Sequence, residues 1–478
     1  MSVLTSASAV LSAGILAGPQ DPKSGPLALV DRMTMGLTQE ELGLAKVLGN
    51  EAYVKHHLNY EAIDDSTLST ILAGPNYNTL TMTPDQIALQ STTTVINQLT
   101  RATILRAVMS KRQMYERVVE MWSDHFHIQL QSDPLVSLIK TIDDRDVIRA
   151  NAMGTFGDLL RASAHSPAML IYLNNDTNRV GNINENYARE LMELHSMGVD
   201  GGYSQQDVVE VARCFTGWSY YSGSSGTNAY RFRYIPSNHD TGQKVVLGHV
   251  IPARSAELGQ QDGEDVLNIL IAHPSTARFI ARKMLHRFLT EAPTTPQIDA
   301  VAATYTATGG DIRSMLRTTL AFVAATPPPK KLKRPFHLLV SALRALGATV
   351  NPPAGNVSWN MQTALLAAGH QLFGWAPPNG YPDTAEYWSG LLLPRWNFGA
   401  SMMNNEYTGV TVDTNVVTAG ATQAAPIADR LSYVLTASRM TAAEKASLTN
   451  YMLPNNPTAT RIREAIGLAV ATPTFQWY

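Results

Sequence analysis

Apolar positions recur at three- and four-residue spacing from Asp31 to Leu48 and again from Pro84 to Ser110, the rhythm of an amphipathic helix. Thr83 before Pro84 supplies an N-cap and a first-turn proline for the second of these. The same rhythm predicts helices over Lys111–Leu130 and Asp144–His165, the latter stopped at Ser166-Pro167, where proline cannot extend the hydrogen-bond ladder. Asn182-Ile-Asn-Glu185 and Ser204-Gln-Gln-Asp207 each read as an N-cap followed by a carboxylate, and Gly198 and Gly217 as helix stops. The pattern therefore predicts a helical hairpin of Asn184–Ser196 and Gln205–Thr216.

Ser219–Ile251 breaks the helical period with Tyr, Ser and Gly, and its runs Arg231–Tyr234 and Lys244–Gly248 predict short β-hairpins. Helices resume from Gly263 to Ala324. Pro327-Pro-Pro329 with Lys330, Lys331, Lys333 and Arg334 reads as a solvated connection between subdomains. Further helices follow to the end, interrupted by the Pro/Gly/aromatic loop Gly374–Asp383. The expected fold is mainly α, an irregular multi-helix domain with a small β-hairpin insertion. It divides into an N-terminal segment 1–28, a helical core 29–326 and a C-terminal helical subdomain 330–478 packed on that core.

Composition narrows the function classes. The chain has 478 residues, 45 % apolar and 16 % charged, with a net charge of −2 and no long basic run, which gives no electrostatic case for nucleic acid. The single cysteine, Cys214, excludes an intrachain disulfide framework and any multi-cysteine metal site. No stretch reaches the length of a membrane-spanning helix. Val3–Leu16 is small and apolar like a signal-peptide core, but the first basic residue is Lys23, so it reads as an N-terminal segment or a degenerate leader. There is no Gly-x-Ser-x-Gly elbow and no phosphate- or dinucleotide-binding glycine pattern, so no nucleotide cofactor is expected.

An ordered set of strings carries a resemblance: Met121–Phe126, Asn184–His195, Gly202–Val208, Thr216–Trp218, His239–Lys244 with Leu247-Gly248, Lys333–Pro335, Pro377–Trp388 and Thr472–Gln476. Together they resemble the bacterial family known only as domain of unknown function 1800, over roughly Leu29 to the C-terminus. The resemblance implies an exported protein, periplasmic or extracellular, often with a twin-arginine leader, which this chain lacks. It also implies that Ser123 and Asn174 stand where relatives often carry His and Asp.

On the Asn184–Ser196 helix, Glu185, Arg189 and Glu193 form one stripe and Asn186 and Glu190 an adjacent one. A salt-bridged surface is one reading of these stripes. The other is a polar cleft in which Arg189 keeps one carboxylate ionised while burial raises the pKa of a second, suiting general acid and base work on a glycosidic bond. That expectation names Glu190, Glu193 and Asp240 as the reacting groups, with Arg189, His125, His195 and His239 orienting them. Trp122, Trp218, Tyr220, Tyr221, Trp375, Tyr381 and Trp388 are available for stacking, and Asn184 and Asn186 for hydrogen bonds, to a small-molecule or glycan ligand.

Two metal readings compete. His125, His195, His239 and Asp240 are of ligand type for a transition metal in a hydrolase or oxidoreductase, though none has the i, i+4 spacing of a metalloprotease helix. Asn174, Asp176, Asn178, Asn182 and Glu185 follow the alternating ligand rhythm of a calcium loop, with Arg179 where its glycine is wanted. A non-catalytic assembly or binding protein is the remaining expectation.

Overall fold

The computed structural model describes residues 25–223, 228–355, 357–454 and 456–478. It is mainly α-helical, and its sheets are antiparallel pairs of short strands. The elements that position the site are α1 (Thr92–Met109), α2 (Gln113–His125), α3 (Asn186–Glu190), α4 (Gln205–Cys214), α5 (Pro274–Phe288) and α6 (Pro335–Ala345). Between α4 and α5 lie two hairpins, β1 (Trp218–Tyr220) with β2 (Phe232–Tyr234) and β3 (Lys244–Val246) with β4 (His249–Ile251), in the stretch where the helical period fails.

The start signal of α4 works as written: the Ser204 side chain accepts from the Asp207 amide, and the Asp207 carboxylate reaches back to the Ser204 amide. α3 begins later than expected. Asn182 is held in a tight turn with Arg179 around Gly181, Glu185 stands at the cap position, and the Asn184 side chain just before it accepts from the Asn186 amide at 3.0 Å. Beyond Glu190 the helix widens into a π-helical turn, Leu191–Ser196. The Ser196 hydroxyl donates to the Leu191 carbonyl five residues back at 2.6 Å, and the Met197 amide to that of Met192 at 2.9 Å, both fitting that wider register. Gly198 then ends the helix at φ +82°.

Among the described residues two large apolar cores form, with a small third cluster of Leu332, Tyr381 and Trp388. The first runs from Ala28 to Val323 and contains Trp122, Tyr187, Leu191 and Trp218. The second joins Phe336–Phe475 with Leu68–Val108 from the first third of the chain. The boundary expected near residue 330 is therefore not a boundary between cores, because α1 supplies Ala102–Val108 to the later one. Each fully buried leucine, isoleucine or phenylalanine contributes roughly 1.5–3 kcal/mol of transfer free energy, so the two cores are tied together through α1.

The basic segment is the clearest correction. Lys331, Lys333 and Arg334 are 1 %, 5 % and 3 % exposed and do not form a solvated linker. The segment pairs with the last residues, the Lys331 amide bonding the Tyr478 carbonyl at 3.0 Å and the Lys333 amide that of Gln476 at 2.9 Å. This turns its side chains inward, where carboxylates of α2 wait.

Candidate functional site

The helix Asn186–Ser196 has a wet face and a dry one. On the wet face Arg189 lies 3.0 Å from Glu185 and 3.9 Å from Glu193, and Gln205 also donates to Glu185, at 2.7 Å. Glu190 is half-buried, and burial first, then the Glu193 charge, pushes its pKa above the usual carboxylate range. The Tyr203 hydroxyl bonds to Glu193, and burial followed by that carboxylate lifts the phenol to about 12. Tyr172 feels the Glu190 charge and donates to the Ala376 carbonyl at 2.9 Å, which brings the late loop beside the acidic helix. There Trp375 is half-buried, with its ring centroid 5.6 Å from that of the exposed Tyr387.

The dry face carries His195, 1 % exposed, with His125 against it. His125 Nε2 donates to the His195 carbonyl at 3.1 Å, and the two rings lie 6.1 Å apart among Phe126, Phe156 and Phe279. Burial drives His195 down to about 3 and His125 well below its ordinary value, so both are neutral at physiological pH. His125 Nδ1 and His195 Nε2 have no hydrogen-bond partner among the described residues. Both are buried and pack against aromatic rings. His195→Phe should therefore shift the folding free energy by no more than about 1 kcal/mol, because it removes an unsatisfied polar atom from an aromatic cluster. A thermal melt checks this, and a loss of several kcal/mol would mean that the imidazole has a necessary partner.

His239 and Asp240 belong to the hairpin's own anchor. His239 Nδ1 lies 2.9 Å from the Thr216 carbonyl and its Nε2 3.2 Å from Asp262. Asp262 also takes Lys244 at 2.5 Å and Arg254, with His239, Lys244 and Asp262 wholly buried at the side chain. Burial would raise the Asp262 pKa, but the bonds from His239, Lys244 and Arg254 outweigh it and hold the carboxyl at about 2. Asp240 is clamped by Arg213 at 2.8 and 3.1 Å, so its partner is α4 rather than Glu190 or Glu193. For Asp262, a folded-state pKa of about 2 against an ordinary 3.8 gives stability that is present above pH 4 and lost as pH falls toward 2. Its size is about 2 kcal/mol. The melting temperature should hold from pH 7 to about 4 and then fall steeply, and a flat profile to pH 2 would contradict the assignment.

The calcium-type loop does not gather its oxygens. The Asn178 Oδ1 accepts from the Asn184 amide at 3.0 Å, and its Nδ2 donates to Ala212 at 2.8 Å and to Asn175. Asn174 is left-handed at φ +59°, Asp176 is half-buried with its pKa raised by burial, and Glu185 is turned to Arg189 and Gln205. Among the described residues no three His, Cys, Asp or Glu side chains group so as to hold a metal ion. Of the expected stacking residues, Trp122, Trp218 and Trp388 are fully buried and Tyr381 is 8 % exposed. Trp375 and Tyr220 are half-buried and Tyr221 is exposed, and of these Trp375 lies on the late loop beside the acidic helix. Asn186 donates to the Leu173 carbonyl at 3.1 Å, and Asn184 to the Thr177 hydroxyl at 3.3 Å.

A second polar centre lies inside. Glu116, Glu120 and Asp124 form a stripe on α2 at four-residue spacing and face a cavity of about 50 Å³ between two ion-pair networks. At one end Arg149 takes Glu116 at 3.0 and 3.1 Å and Asp144 at 2.9 Å. At the other, Arg334 bonds Asp124 at 2.6 Å and also Glu120, Arg287 bonds Asp124, and Arg117 bonds Glu120 at 3.1 Å. Asp383 from the late loop lies 3.5 Å from Lys331 and 3.6 Å from Arg287. Burial pushes Glu120 and Asp124 up, but Arg334 and Arg287 outweigh it, so both carboxyls sit below their ordinary range. Gly380 packs on the Asp124 backbone at φ +73°, where a Cβ would come within 2.1 Å of the Asp124 carbonyl oxygen. These acids are spent on arginines and form an internal brace. The sequence reading missed them although their spacing equals that of the Glu185–Glu193 stripe. The available signal was that half of the other positions of α2, Met114, Val118, Val119, Met121 and Trp122, are large and apolar.

Three of the strings that carry the resemblance, Met121–Phe126, Lys333–Pro335 and Pro377–Trp388, thus meet at this brace through Asp124, Arg334 and Asp383. The family model described as protein of unknown function (DUF1800) matches residues 28–477, nearly the whole chain. The chain belongs to the DUF1800 family. No curated protein and no solved structure matches it. In this DUF1800 chain the brace and the Asp262 cluster hold buried charges in ion pairs, and the acidic pair Glu190 and Glu193 is a half-exposed constellation beside an aromatic loop. No helix of the described residues is long and apolar enough to cross a membrane.

Proposed function

We propose that this DUF1800 protein is a hydrolase-type enzyme that cleaves a carbohydrate or another polar polymer, with Glu190 as general acid and Glu193 as the ionised partner. The observation that carries the reading is that the two carboxylates stand one turn apart in opposite surroundings. Burial and the like charge of Glu193 keep Glu190 prone to protonation, while Arg189 and Tyr203 attend Glu193. A carboxyl raised toward protonation beside a second carboxylate is an arrangement that acid–base division of labour can use. Glu190 would protonate the leaving oxygen, and Glu193 would activate water or attack the reacting carbon. Trp375 and Tyr387 offer aromatic faces nearby for a sugar ring. Asp240 and the histidines take no part in this version, since their partners lie elsewhere. The reading goes with an exported protein, as the family resemblance implies. It is tested by incubating purified protein with a polysaccharide panel and measuring new reducing ends, with Glu190→Gln and Glu193→Gln alongside. Equal release by the wild type and both variants removes it.

A further inference from the structure

A cleft of about 340 Å³ lies away from the acidic pair, near the lower end of the roughly 300–1,000 Å³ range of small-ligand sites. One wall is aliphatic, Ile139, Ile142 and Val147, from the helix Pro134–Ile142 and the π-helical turn Asp143–Arg149. The facing wall is aromatic, Phe232 of β2, Tyr230 and the His165 ring. His165 lies 4.5 Å from Phe232 and 4.6 Å from the buried Trp218, and Glu264 holds it at 3.0 Å, so this wall is backed by a fixed stack. Tyr230 is held at φ +54° by the bond of its amide to the Tyr221 carbonyl at 3.0 Å, a backbone state that bulky side chains rarely adopt and that gathers at binding sites.

The acids in the cleft are already compensated. Asp143 takes Lys140 at 2.5 Å and the Ser166 hydroxyl at 2.7 Å, and Asp146 takes Arg145 at 2.7 and 2.8 Å. With its proton given to Asp143, Ser166 presents lone pairs, as do both carboxylates. A neutral molecule with hydroxyl donors on its edge and an apolar ring face fits this combination of acceptors and aromatic wall. We propose that the cleft binds one neutral saccharide ring and anchors the polymer away from the reacting bond. The choice of a saccharide rests on the reading of Glu190 and Glu193 given above. Position agrees with an anchor. Pro167 and Ala168 line the cleft, and Tyr172, which stands by Glu190, ends the same short helix roughly 8 Å further along.

The test uses Glu190→Gln protein, so that no probe is consumed, and calorimetric titration with cellobiose, maltose and di-N-acetylchitobiose at millimolar concentration. At least one should bind saturably. Affinity should fall about tenfold with Phe232→Ala, which removes the wall, and with Ala162→Phe, which fills the cleft, and return with Phe232→Tyr. Melting curves of each variant confirm folding. Absence of binding by all three sugars, or binding indifferent to both Phe232→Ala and Ala162→Phe, overturns the proposal. So does Phe232-dependent binding of an apolar dye without any sugar. Wild-type cleavage without Phe232-dependent binding removes the cleft alone, and sugar binding without any cleavage removes the catalytic reading alone.

Discussion

Arg334→Met should lower folding stability by about 3–5 kcal/mol, the cost of stranding buried carboxylates by removing one partner. Arg334 is 3 % exposed and bridges Glu120 and Asp124, so the change leaves two acids sharing Arg287 and Arg117 in a site with little water. Urea unfolding gives the measure, as a lower midpoint with unchanged slope. Adding Asp124→Asn should recover part of the loss, since one stranded charge is gone. A loss under about 1 kcal/mol would put these pairs in the class of surface salt bridges, and the brace would fail as an account of the centre.

Glu190→Gln should reduce polymer cleavage by about a hundred- to ten-thousand-fold, the usual contribution of a general acid. Its melting temperature should barely move, because Glu190 is half-buried and gains nothing from its charge in the company of Glu193. The pH profile separates the two acids. Glu190 must be protonated to act, so activity falls as pH rises through its pKa. Glu193→Gln removes the like charge that raises that pKa and should move the falling limb to lower pH. A fall in rate that tracks a fall in stability would instead make the acidic helix a structural one.

Local signals in the sequence located the hairpins and most helices. The single helices expected over Asp31–Leu48, Pro84–Ser110 and Asp144–His165 are each interrupted, however, the later pieces starting at Gln39, Thr92 and Phe156. Proline stops, the Ser204–Asp207 cap and the loss of helical period after Gly217 act over a few residues, and the chain obeys them. Charge was harder to read. Lys331, Lys333 and Arg334 look like a solvated run because the carboxylates and backbone bonds that turn them inward come from the distant α2, the late loop and the last residues. Asp240 looks free until Arg213 is seen to hold it, and His195 looks like a ligand until its aromatic surroundings are seen. The π-helical turn after Glu190 leaves no composition signature, since it depends on which carbonyl the Ser196 hydroxyl finds. Pairing across long stretches of chain decides whether a charged residue is machinery or scaffold, and spacing along one helix cannot report it.

The brace also sets a timetable for the growing polypeptide. Asp124 leaves the ribosome 163 residues before Arg287 and 210 before Arg334. Until those cations arrive, the Glu120–Asp124 end of the acidic stripe has no dry place to go, although Arg149 can already hold Glu116. The first core therefore completes only when the later half of the chain has been made. A stalled or truncated nascent chain would present α2 as exposed apolar surface, a substrate for chaperones and proteases, instead of as an independently folded half.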